Sequence, residues 1–130
     1  MNPVLALAAP FALFTASAHF FFGSPRIVGA VQASDLDARI KLVLNAVWHM
    51  ASVALFLSVP AFFFGSLPSH AREARPLVLF LALLWCAFGA VFLVTIFTQA
   101  DRSKLFKLPQ WILLLPVGLL GFWGSLASPI

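Results

Sequence analysis

Residues 42–64 read LVLNAVWHMASVALFLSVPAFFF, a run without a single charged side chain and with one proline, Pro60. At 1.5 Å per residue it makes a helix of about 35 Å, enough to cross the ~30 Å hydrocarbon layer of a bilayer. Three further apolar stretches flank it, at Val4–Phe22, Leu77–Phe97 and Trp111–Leu126. The whole 130-residue chain is 62% hydrophobic and 9% charged, and its mean hydropathy is +1.03. Soluble domains carry about 25% charged residues. The pattern therefore predicts one all-α integral membrane domain over 1–130, an antiparallel bundle of four transmembrane helices.

The positive charge serves topology. All eight Lys and Arg residues fall between the apolar runs or at their ends, which argues against a nucleic-acid groove. Arg26, Arg39 and Lys41 lie between spans one and two, Arg102, Lys104 and Lys107 between spans three and four, and only Arg72 and Arg75 in the remaining loop. Six cations against two place the first and third loops in the cytoplasm. Both termini are then expected outside, on the periplasmic face of a bacterial inner membrane. Ala16-Ser17-Ala18 has the small-x-small form of a cleavage site. A signal peptide is nevertheless not expected, because no Lys or Arg precedes the run and it continues through Phe20, Phe21 and Phe22.

Local signals mark the helix ends. Pro76 and Pro109 suit a first turn, where a missing N–H is no loss. Ser34 with Asp37 resembles an N-cap followed by a third-position acid, so the second helix is expected to begin ahead of its span. Pro10, Pro60 and Pro116 predict kinks. Gly118, Gly121 and Gly124, three apart, spiral around the last span and suit close helix packing better than a single GxxxG face.

Polar residues inside the spans are the functional candidates, since an ionisable group there marks a cavity or an internal contact by default. Thr15 and His19, four apart, share a face of the first helix with Ala8 and Ala12. Asn45, His49 and Ser52 fall in one sector of the second. Trp85, Phe88, Phe92, Thr95 and Gln99 form a stripe on the third. Because the chain alternates direction, His19, Asn45, His49, Thr95 and Gln99 gather in one half of the bilayer, with Gln110 nearby. His19 is level with Asn45, and His49 lies one turn, about 6 Å, deeper.

This chemistry points to binding. The expected pocket is formed by His19, Asn45 and His49, with Thr15, Thr95, Gln99 and Trp48 contributing, and takes a hydrophobic or planar ligand such as a quinone, a lipid or a haem. A bis-histidine haem requires both imidazoles at one depth, and the one-turn offset weighs against it. His19 and His49 are the only metal-ligand candidates in the spans besides Cys86, which suits core packing. Trp48 and Trp85 suit the flanks of a flat ligand or core filling, whereas Trp111 suits an interfacial anchor. His70 is expected in a solvated loop. The second reading is a non-catalytic accessory or assembly subunit of a larger membrane complex, its histidines serving as interhelical glue. No Cys-x-x-Cys, intramembrane carboxylate or lysine, Ser-His-Asp set or phosphate loop is present, so an enzyme is not expected.

His19 with its apolar tail to Gly23, Ala33-Ser34-Asp35-Leu36, Trp48-His49, Leu108-Pro109-Gln110-Trp111 and Leu115-Pro116 together resemble an uncharacterised family of small bacterial four-span membrane proteins. The resemblance covers most of the chain. It implies the four-helix layout and a bacterial inner-membrane setting, and no activity.

Overall fold

The computed structural model describes residues 1–99 and 109–127. They form helices α1 (Pro3–Ser17), α2 (Ser24–Ala33), α3 (Ala38–Ser66), α4 (Ala71–Gln99) and α5 (Gln110–Ala127), with a wider π-helical turn at Ala18–Gly23 joining α1 to α2. No strand occurs among the described residues. Four continuous stretches are long and apolar enough to cross a membrane: Pro3–Ala33, Ala38–Ser66, Ala71–Thr98 and Gln110–Ala127. The chain is an all-α bundle with the length and hydropathy of a multi-pass membrane protein.

The first span differs most from its sequence expectation. Instead of stopping at Phe22, the helix runs on to Ala33, 31 residues in all, or about 46 Å at 1.5 Å per residue. Gly23-Ser24-Pro25 suggests a break, yet the chain absorbs it. Pro25 has no N–H and its ring crowds the carbonyl one turn earlier, and a local π-turn relieves both problems without ending the helix. Ser24 donates its N–H to the Phe20 carbonyl at the end of that turn. The true loop is 34–37. Ser34 closes α2, its hydroxyl donating to Val31 O at 2.6 Å, and the N-cap of α3 is Asp37, whose carboxylate accepts from Arg39 N at 2.9 Å. Pro76 likewise lies inside α4, beyond its first turn.

The helices form a closed ring. α1 packs against α3 and α5, and α4 packs against the same two helices. Lipid tails are as apolar as leucine, so helices associate here through close packing and buried polar contacts. Ala8, Ala9, Ala12 and Ala16 give α1 a buried seam of small residues. The glycines of α5 spiral as expected, their contacts passing from α4 through α3 to α1. A Cβ on Gly118 would strike Cys86 and the Ala82 carbonyl of α4, one on Gly121 would meet Ala82 and Phe62, and one on Gly124 would meet Leu5 of α1. Trp85 is fully buried and donates to Ser58 Oγ at 2.8 Å, while Ser58 donates to Leu55 O at 2.6 Å. Trp85 is core.

Asn2 knits one end of the bundle. Its side-chain oxygen caps α1 by accepting from Val4 N and Leu5 N, its amide donates to Gly124 O at 2.6 Å, and its own backbone N–H donates to Ser66 O at 2.8 Å. One residue thus joins α1, α3 and α5. The other end, around the π-turn and the start of α5, is more open and holds the cavities.

Candidate ligand-binding site

Trp48 is the centre of the polar region. On α3, Leu44, Trp48, Ala51 and Leu55 line one cavity in a helical row, and the indole of Trp48 reaches the π-turn. Its Nε1 donates to Ser24 Oγ at 2.8 Å. The His19 ring stacks on it with centroids 4.1 Å apart and planes 14° from parallel. Gly23 completes the contact, because a Cβ there would stand 2.6 Å from Trp48 Cζ2. The i→i+5 spacing of the π-turn brings His19, Gly23 and Ser24 onto one indole. The sequence signal for this arrangement is Gly23-Ser24-Pro25 closely following an intramembrane histidine.

Two adjoining cavities open on either side of the His19–Trp48 pair. The polar one, about 260 Å³, lies between the π-turn, α2 and the start of α5, and includes Thr15, His19, Arg26, Trp48 and Gln110 in its wall. The apolar one, about 450 Å³, lies between α2, α3 and α4 and is walled by Val28, Val31, Leu55, Phe88, Val91 and Phe92, with Asn45 beside Trp48 and His19. His19, Ile27, Trp48 and Leu114 line both. These four residues form the wall between a more polar and a more apolar cavity.

Hydrogen-bond accounting marks the same place. His19 Nε2, Asn45 Oδ1 and Gln110 Oε1 are buried without a partner, and Ser125 Oγ at the far end of the bundle is the other such atom among the described residues. A buried polar atom left unpaired costs about 1–3 kcal/mol, so native proteins pair nearly all of them. Three belong to residues that line the two adjoining cavities, where a bound group could reach them.

The expected residues divide. His19, Asn45, Trp48 and Thr15 line the cavities, with the Thr15 hydroxyl also donating to Phe11 O at 2.9 Å. His49 does not line either cavity; half-buried, it packs on the lipid-side ring of Phe20, centroids 5.9 Å apart. Thr95 is exposed, and Ile96 takes the buried position of that turn. The side chain of Gln99 lies outside the described residues. Arg26 and Gly23 join the site from a segment expected to be loop. Ser52 is buried and bonded to the Trp48 carbonyl at 3.1 Å, and His70 is exposed at a loop, paired with Ser69 at 2.8 Å.

His19 lines both cavities and His49 neither, so the described cavities do not bring the two imidazoles to one planar ligand. Among the described residues no group of three or more His, Cys, Asp or Glu is placed to hold a metal ion. No protein-family model, curated protein or solved structure matches the chain. The chemistry of the site is therefore the guide to its function.

Proposed function

We propose that this protein binds a membrane amphiphile, of the lipid or quinone kind, without acting on it chemically. The observation that carries the reading is the gathering of three unpartnered buried polar atoms, His19 Nε2, Asn45 Oδ1 and Gln110 Oε1, around two adjoining cavities, one more polar than the other. A ligand with a polar head and an apolar body satisfies both halves at once. Imidazole and carboxamide groups donate and accept, so they orient a hydroxyl, carbonyl or ester head. The stacked, hydrogen-bonded Trp48 supplies a rigid wall.

The accessory-subunit reading accounts for the stacking of His19 on Trp48 of α3 and leaves the unpartnered His19 Nε2 unexplained. Interhelical hydrogen bonds run through the Trp48–Ser24 and Trp85–Ser58 pairs and through Asn2. The cation bias of the loops supports a bacterial inner-membrane orientation with both termini outside.

Mass spectrometry of the organic extract of purified protein tests the function, alongside a visible absorption spectrum. A stoichiometric amphiphile, much reduced in His19→Ala and Asn45→Ala variants that still fold, is the expected result. Protein free of any retained amphiphile, or a Soret band dependent on His19 and His49, would overturn it.

A further inference from the structure

Arg26 is the only charged residue in the wall of either cavity among the described residues. It stands two turns beyond His19, about 10 Å along the helix, on a part of α2 that has no buried residue. That places its guanidinium toward the headgroups while its cavity reaches down to the imidazole. The nearest acids in sequence, Asp35 and Asp37, lie past the end of α2, Asp37 capping α3, and Glu73 is in the first turn of α4 at the opposite end of the bundle. None of these three lines the cavities. An exposed arginine in the wall of an open cavity, with no carboxylate in that wall among the described residues, favours an anion that its guanidinium can grip with two parallel N–H bonds.

The apolar cavity limits which anion fits. Its wall is aliphatic and phenylalanine carbon apart from Asn45, His19 and Trp48, and it adjoins the more polar one, with which it shares His19, Ile27, Trp48 and Leu114 as lining. Free phosphate would leave this larger space without an occupant of matching chemistry. Resting on the amphiphile reading above, we propose that the occupant is an anionic phospholipid, its phosphodiester held by Arg26 and one acyl chain lying against Val28, Val91 and Phe92. Gln110 contributes a donor when its amide is turned to present nitrogen, an orientation chosen by its partner. Basic pockets between membrane helices recognise acidic headgroups by this logic.

Native mass spectrometry of the delipidated full chain, given phosphatidylglycerol and phosphatidylcholine with identical acyl chains, tests the assignment. The wild type is expected to retain phosphatidylglycerol over phosphatidylcholine by about five-fold or more, the order expected for one basic contact. Arg26→Gln should bring the ratio to about one, whereas Arg26→Lys keeps part of it. Raising salt on wild-type protein should also shrink the ratio, a measurement that depends on no variant. Ala51→Phe, which fills the apolar cavity, should lose both lipids.

Equal retention of the two lipids by wild type, with Ala51→Phe still losing both, would overturn the anionic assignment and leave amphiphile binding standing. No retention of either lipid or any other amphiphile would overturn both. Displacement of phosphatidylglycerol by millimolar inorganic phosphate, with no dependence on Ala51, would mean a phosphate site and also refute the lipid assignment.

Discussion

At the scale of single residues, Trp48 shows how a side chain gains a role from its neighbours. Its position in an apolar run allows core filling as readily as ligand contact. The outcome is set by three partners, His19 stacked on its face, Ser24 on its Nε1 and Gly23 against its edge. A neutral hydrogen bond and a ring stack contribute about 0.5–1.5 kcal/mol each. Trp48→Phe should therefore lower stability by about 1–3 kcal/mol, measured as a shift in the unfolding midpoint in detergent. Gly23→Ala pits two effects against each other: about 1 kcal/mol of helix propensity gained against about 1–3 kcal/mol of overpacking. Because the added methyl would meet a ring pinned on two sides, packing should win, and the variant should melt below wild type. A higher melting temperature would mean that Trp48 is free to move. His19 and Asn45 were legible as candidates because polarity inside hydrocarbon is conspicuous. The separation of His49 was not, since one residue of helical rotation, about 100°, turns it from the Trp48 face to the Phe20 side.

At the scale of elements, the π-turn and the glycine face of α5 decide how helices meet. The turn sets the azimuth of α2, because it carries more residues per turn than the α-helix on either side. Deleting Phe21, a lipid-facing residue 64% exposed, should restore α-helical winding. Because the wider turn accommodates one extra residue, α2 then keeps nearly its azimuth and Ser24 stays beside Trp48. Bound amphiphile and the helical circular-dichroism signal should both be retained. Loss of binding with the helical signal intact would show that the width of the turn, and not only the azimuth of α2, positions the site. In α5, Gly118→Leu forces the helix off Cys86 and Ala82, and overpacking of this kind costs about 1–3 kcal/mol. A swap at exposed Leu119, Leu119→Ile, should be nearly neutral, and the pair of melting curves separates buried packing from lipid-facing change. The spans themselves were visible in the sequence because apolar length alone specifies them. The turn was hidden because Gly23-Ser24-Pro25 ends most water-soluble helices, whereas membrane helices tolerate such breaks when neighbours satisfy the freed groups.

At the scale of the whole molecule, alternation of the four spans puts the 34–37 loop and the 67–70 loop on opposite faces of the bilayer. Cysteines introduced at Ser34 and Ser69, each in a Cys86→Ser background, should react with an impermeant maleimide from opposite sides of sealed vesicles. Labelling of both from one side would break the four-span topology, and which of them labels from outside fixes the orientation that the cation bias favours. Asn2 closes the end away from the cavities, so Asn2→Ala should cost about 0.5–2 kcal/mol through the lost cap while leaving the bound amphiphile in place. The bundle is thus tied at one end and open at the other. That polarity of construction leaves the two larger cavities beside the π-turn.

The sequence by itself determined that residues 42–64 and their three counterparts have the length and hydropathy to cross a bilayer, that direction alternates, and that His19, Asn45 and Gln110 share one membrane half. Those conclusions follow from hydropathy, which sums along a chain, and from parity, which needs no coordinates. Only the tertiary structure decided that the first helix continues to Ala33, that Trp48 lies between two cavities, that Arg26 lines one of them and that His49 lines neither. These depend on the rotation of each helix about its axis. That rotation is set by packing against neighbours and by one π-turn, neither of which hydropathy records.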